Sequence, residues 1–362
     1  MALTLSRKKF IAFALMAMGL SVAGVLLLLL VADLVLHARA ERSAGLNRYG
    51  YRGPVVGRKQ AGELRVVMLG GSTVFGYGVE WRESIPAQLE TRLLARLGRP
   101  VTVVNLGFNN EGAFAFVPNL EDFDYLDADV IVLYEGYNDL AGDEGVNRAV
   151  YRRNSAIYRA VGYFPILPLY LDEKAMMLRH GSDLNAAYDA EYRRLAKEKV
   201  VFEPNLAKRT SAGALEAIAA MTRALDGQLD QPRNASPPPA IAANQSTLGC
   251  TLPYVTYCES VAAAVRFGLA RGKAVVVGAQ PRVAGRASLM HALQEQVLSG
   301  MMTTTFAGDR RVVYADLSDL LDLQDTTVTF DGMHLTPGGN GKVADALVEP
   351  ILKAVPGAGL QR

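Results

Sequence analysis

The sequence predicts an α/β protein, a three-layer α/β/α sandwich on a parallel sheet, with one transmembrane helix ahead of it. Three observations carry that expectation. Short, wholly apolar runs alternate with longer segments of helical pattern, and such alternation gives a parallel sheet covered on both faces. The chain has 362 residues and is 50% hydrophobic, enough for a sizeable core. Part of that apolar content is gathered at the N-terminus, in a run too long for an ordinary core helix.

Residues 1–9 form a short basic segment ending in Arg7, Lys8 and Lys9. Phe10 to Leu36 then reads FIAFALMAMGLSVAGVLLLLLVADLVL, with Asp33 its one charge. That run exceeds the ~20 apolar residues a helix needs to cross a bilayer. A cleaved signal peptide has a shorter apolar region, about 7–15 residues. The length therefore favours a retained anchor over 10–36, although Ala38-Arg39-Ala40 offers a cleavage pattern. Arg39, Arg42, Arg48 and Arg52 follow the span, so the positive-inside count is close to a tie. Cys250 and Cys258, in CTLPYVTYC, are near enough to form a disulfide outside the cytoplasm, or to remain a packed reduced pair. The expectation is a single-pass protein of the cytoplasmic membrane with its bulk outside, periplasmic or extracellular.

Residues 37–61 are polar and rich in Gly and Arg, and read as a linker. The main domain is expected over 62–355. Its strands are LRVVML (64–69), VTVVNL (101–106), DVIVLY (129–134), KAVVVGA (273–279) and RVVYADL (311–317), each apolar enough to be buried on both faces. Helical patterns cover 84–97, 252–270, 290–302 and about 339–354. The spacing breaks at about 141–250, a long insertion. Within it VGYFPILPLYL (161–171) is either a membrane-facing or lid segment, or an insertion packed on its own domain. The stretch DQPRNASPPPAIAANQ reads as a loop, and Asn234 and Asn244 each head an N-x-S pattern.

Several function classes are excluded. The net charge is +2, with no basic stripe interleaved with aromatics, so no nucleic-acid partner is expected. The four histidines, His37, His180, His291 and His334, lack a His or Cys at ligand spacing, so no metal site is expected. The glycine-rich turn VVMLGGSTVFGYG (66–78) has neither the lysine of a P-loop nor a G-x-G-x-x-G, so no cofactor is expected. Val74 stands where the G-x-S-x-G nucleophile elbow requires glycine.

What remains is a serine at a strand end. Ser72 follows the first strand inside that turn, and in parallel sheets ligands collect at the carboxyl ends of strands. A nucleophilic serine needs a base, and the base an orienting carboxylate. In FDGMHLTPGG, Asp331 and His334 lie three residues apart. One local turn would set the carboxylate on one imidazole nitrogen and leave the other for a serine. In YEGYNDL, Asn138 follows the third strand; its amide suits an oxyanion, or simply an Asx turn.

Taken in order, GGST, NLGFNNEG, GYND and DGMH resemble the blocks of the SGNH (GDSL-like) hydrolase family, in its membrane-anchored branch. The resemblance covers about residues 62–140 and 310–352. It implies a flavodoxin-like sheet, with Ser72 as nucleophile, His334 as general base and then acid, and Asp331 orienting the imidazole. It implies an oxyanion hole from the Ser72 N–H, a glycine N–H of the second block and the Asn138 side chain. The loop after Asn105 is longer than the common pattern, which makes Gly112 the expected glycine and Gly107 the alternative. Gly71 departs from the family's Asp before the serine. LNRYGYRGP (46–54) is similar to the segment ahead of the first block in anchored relatives, and is expected to pack against the catalytic domain. The implied activity is a membrane-tethered serine esterase removing small acyl groups, such as O-acetyl, from an envelope glycan or lipid. The same acyl-enzyme could instead serve an O-acyltransferase fed by a membrane acyl-donor protein, and a non-catalytic envelope-binding member would keep the fold alone.

Overall fold

The computed structural model describes residues 7–39, 45–179, 214–215, 217–222, 248–285 and 287–355. Five strands are found among them: β1 Leu64–Leu69, β2 Val101–Asn105, β3 Val130–Leu133, β4 Ala274–Gly278 and β5 Val312–Ala315. The helices are α1 Arg7–Ala38, α2 Ser72–Phe75, α3 Ile85–Leu97, α4 Phe116–Asp122, α5 Ala156–Val161, α6 Leu167–Arg179, α7 Val255–Ala270, α8 Ala287–Thr305 and α9 Pro337–Ala354. Two compact units are distinguished, one of Met1–Ala44 with Pro165–Gln228, the other of Gly45–Phe164 with Leu229–Arg362.

The second unit holds the sheet. All its pairings are parallel, in the order β2-β1-β3-β4-β5. Every residue of β1, β3 and β4 is buried, as strands apolar on both sides require. One face is covered by α3 and α9, which pack together; α7 and α4 pack on each other, with α7 against β4. In α3, Ile85, Leu89 and Leu93 recur at four-residue spacing and face inward. Gly98, at φ 60°, ends that helix in the left-handed conformation. In α9, Thr336 caps the N-terminus by accepting the Gly339 N–H, and Val343, Leu347 and Ile351 form the buried stripe. The strand order reverses between β1 and β3, so the crevice beyond their carboxyl ends is the natural ligand site.

Two boundaries differ from the sequence expectation. Residues 37–61 are not a linker throughout, because Leu46 and Tyr51 are buried and Arg52 bridges antiparallel to both Leu46 and Asn105. The sheet-bearing unit therefore begins near Gly45 rather than at 62. The insertion 141–250 is likewise not one piece, since residues up to Phe164 belong to the sheet-bearing unit. The fully buried Arg152 explains this, donating to the Gly50, Leu106 and Gly107 carbonyls and pairing with Glu111. Asn234, Asn244, His180 and the loop over 230–245 lie outside the described residues. Cys250 and Cys258 are joined in a disulfide ahead of and within α7.

The first unit contains α1, 32 residues long and apolar enough to cross a membrane. Its side chains are exposed along nearly the whole length, and Asp33 is the one buried residue. It also contains α6.

Candidate active site

The site begins where β1 ends. Gly70 and Gly71 lead into α2, and Ser72 is the first residue of that helix. Both glycines are required by close approach. A Cβ on Gly70 would lie 2.2 Å from the Tyr134 carbonyl, and one on Gly71 2.2 Å from Asn138 Nδ2 and 2.4 Å from Glu135 Oε2. The Glu135 carboxylate and the Asn138 amide therefore fill the space of a side chain at 71. A side chain at 71 has no room there.

The far end of the Ser72 turn is held by Arg52 and Asn105. Gly76, at φ 82°, reverses the chain after α2. Its carbonyl accepts from Arg52 Nη1 at 2.6 Å, the Phe75 carbonyl accepts from the same nitrogen, and Val79 O from Arg52 Nη2 at 2.6 Å. Asn105 Nδ2 donates to the carbonyls of Val74 at 2.9 Å and Phe75 at 3.2 Å. The Val74 and Phe75 carbonyls are among those that a short helix leaves unpaired.

His334 comes from the loop before α9. Its Nε2 is 2.8 Å from Ser72 Oγ, and its Nδ1 is 2.5 Å from Asp331 Oδ2. The network assigns the proton to Nδ1, leaving Nε2 to accept from the serine hydroxyl. Local bonds shape the loop. Asp331 Oδ1 accepts the N–H groups of Met333 at 3.0 Å and His334 at 2.7 Å, and Thr329 Oγ1 donates to the His334 carbonyl at 2.8 Å. Burial on its own would raise the Asp331 carboxyl pKa. The hydrogen bond and charge of His334, with the two backbone N–H groups, outweigh burial and hold it below the usual carboxylate range. Tyr77 and Phe330 flank the imidazole, with ring centroids 4.5 Å and 5.9 Å away, and Phe330 is 41% exposed.

Glu111 and Asn138 come up to the same turn, beside Gly71. The Ser72 and Gly112 N–H groups have no hydrogen-bond partner among the described residues. The Gly107 N–H is taken by Asn105 Oδ1 at 3.0 Å, so the alternative glycine is occupied elsewhere. Asn138 Nδ2 donates one hydrogen to the Glu111 carbonyl at 3.0 Å. Beneath it lies Glu135, which accepts the N–H groups of Gly71, Gly136 and Asn138. Burial, with the nearby Asp139, pushes its carboxyl up to about 8 despite those donors. Asp139, buried and accepting from Ala113 N–H at 2.8 Å, is pushed up to about 6.

The structure thus brings Ser72, His334 and Asp331 into one hydrogen-bonded chain and sets Asn138 beside Gly71. His291 stands apart; burial and then Arg282 push it down to about 4, and it packs edge-on to Tyr137 at 5.3 Å. His37 belongs to the first unit, against Asp33. Among the described residues no group of three His, Cys, Asp or Glu could hold a metal ion. Sequence reasoning missed Arg52, Asn105 and Glu135. Glu135, a carboxylate directly after a wholly apolar strand, was the readable signal.

Residues 68–228 match the model of the GDSL-like lipase/acylhydrolase family. The chain carries a GDSL-like lipase/acylhydrolase domain. Ser72 and Asn138 fall inside the matched residues, and Asp331 and His334 lie beyond them. Three solved structures are similar to it in outline. One is a member of the lipolytic G-D-S-L family from Veillonella parvula, 10% identical, covering 79% of this chain and 97% of that one, at a TM-score of 0.41. A second is an acetyl xylan esterase from Geobacillus stearothermophilus, 11% identical, covering 83% and 97%, at 0.41. The third is a GDSL-like lipase from Bacteroides thetaiotaomicron, 11% identical, covering 83% and 93%, also at 0.41. No curated protein matches the sequence.

Proposed function

We propose that this SGNH hydrolase is a membrane-tethered esterase that removes small acyl groups, such as O-acetyl, from an envelope glycan or lipid. The single observation behind this reading is the contact of His334 Nε2 with Ser72 Oγ at 2.8 Å, backed by Asp331. In the first half-reaction Ser72 Oγ attacks the ester carbonyl carbon while Nε2 takes its proton. Negative charge forms on the carbonyl oxygen, facing the N–H groups of Ser72 and Gly112 and the Asn138 amide. The carbon–oxygen bond to the alcohol then breaks, and the imidazolium protonates the leaving alkoxide. Water repeats the sequence on the acyl-enzyme, losing a proton to Nε2 and releasing the acid. Asp331 keeps its charge throughout and stabilises the imidazolium.

The tether reading rests on α1, and the outward orientation on the Cys250–Cys258 disulfide, a bond that persists in oxidising compartments. The exposed Phe330 ring beside His334 gives a flat face on which the sugar of a leaving alcohol can lie. The test is acetate release by the full chain in detergent from O-acetylated glycan and from acetylated lipid. Ser72-dependent release with water as acceptor supports the reading. Acetyl transfer to added sugar without free acetate would replace it by the transferase, and no turnover of either class would leave a binding protein.

A further inference from the structure

We propose that the first turn of α6 lies at the lipid boundary, fastened there by Asp33 of α1, so that the protein meets the bilayer at a second place. This rests on the reading of α1 as an anchor. Asp33 is the one charged residue from Phe10 to Leu36, and it is 4% exposed. Its Oδ1 accepts the N–H groups of Ile166 at 2.8 Å and Leu167 at 2.5 Å. Its Oδ2 is 3.3 Å from His37 Nε2. The two N–H groups are donors that the start of a helix leaves unpaired, so Asp33 caps α6 from another helix.

This cap fixes a depth. An α-helix rises 1.5 Å per residue, so Phe10–Leu36 is about 40 Å long, roughly 10 Å more than a bilayer's hydrocarbon core. Asp33 lies three residues before the end of that run, about 5 Å along the axis. It therefore falls at the headgroup boundary, where a carboxylate paired with backbone N–H groups and a histidine is tolerated. Ile166 and Leu167, bonded to it, must lie at the same depth. The chain there is chemically suited to lipid. Pro165–Leu171 reads PILPLYL without a charge, and Asp172, Glu173 and Lys174 follow at once. Leu169 is 38% exposed, and Tyr170 is the kind of residue that sits at a membrane interface.

The test uses the full chain in phosphatidylcholine nanodiscs. Both native cysteines are in the disulfide, so one introduced cysteine carries an environment-sensitive fluorophore, at Leu169→Cys or, as control, Val22→Cys. Nitroxide lipids labelled at the headgroup or deep in the acyl chain act as quenchers. We expect the label at 22 to be quenched by deep nitroxide, and the label at 169 at least twofold by headgroup nitroxide. Adding Asp33→Ala should abolish quenching at 169 and leave it at 22, while Asp33→Asn, whose oxygen can still accept, should keep both. Quenching at 22 without quenching at 169 overturns this inference alone. Quenching at 169 that survives Asp33→Ala overturns the role of Asp33. No quenching at 22 overturns the anchor, and the second contact with it.

Discussion

Ser72, the proposed nucleophile, and His334, its proposed base, are held in different ways. The turn carrying Ser72 is braced by groups distant in sequence: Arg52 and Asn105 on its carbonyls, Glu135 on the Gly71 N–H. The loop carrying His334 is braced by its neighbours, with Asp331 bonded to Met333 and His334 and Thr329 to the His334 carbonyl. It is also the more open of the two, since Phe330 is 41% exposed whereas Val74 is fully buried. The base side is self-contained and spelled in four adjacent letters, DGMH. The nucleophile side exists only once the sheet has formed.

The comparison can be broken first at the reacting groups. Ser72→Ala or His334→Ala should lower kcat by about 10⁴-fold or more, and Asp331→Asn by a similar factor, in acetate-release kinetics. The activity that remains to wild type should fall in acid, because a protonated imidazole cannot take the serine proton. Asn138→Ala comes next, at about 10²–10³-fold in kcat with little change in KM. Arg52→Lys sharpens the contrast. Lysine keeps the charge but cannot fork to three carbonyls, so the turn should shift and kcat fall about 10-fold or more at unchanged KM. A loss confined to thermal stability, with kcat intact, would make Arg52 a structural brace only.

A smaller effect belongs to Glu135. Its folded pKa, about 8, lies above the ordinary carboxylate value. Between those values the folded state binds more protons than the unfolded, so its contribution to stability is fully present in acid and is lost as pH rises through about 8. The midpoint of thermal unfolding should therefore decline by several degrees from pH 5 to pH 9, and Glu135→Gln should flatten that decline. Phe330→Ala should have the smallest effect, a rise in KM of a few-fold for an acetylated sugar and none for a small aryl acetate. Equal change for both esters would mean that the ring only shields His334.

The same contrast explains what the sequence made legible. The five strands stand out because each is a short apolar run, and DGMH because its carboxylate and imidazole meet within one turn. Arg52 lies within LNRYGYRGP, but its carbonyl partners run from Phe75 to Val79, on a turn nothing local connects to it. LNRYGYRGP as a whole is expected to pack on the domain from its likeness to anchored relatives, and Leu46 and Tyr51 are buried. Gly71 read as a departure from a motif. Only the Glu135 carboxylate and the Asn138 amide beside it show why no side chain fits there.

Whether His334 activates Ser72 is tested by the rate at which a fluorophosphonate reacts with Ser72 in the full chain, followed by intact mass and peptide mapping. Activation by His334 predicts a single adduct on Ser72, formed rapidly in wild type and at least about 10³-fold more slowly in His334→Ala. Labelling that is spread over several serines, or equally fast without His334, would contradict it.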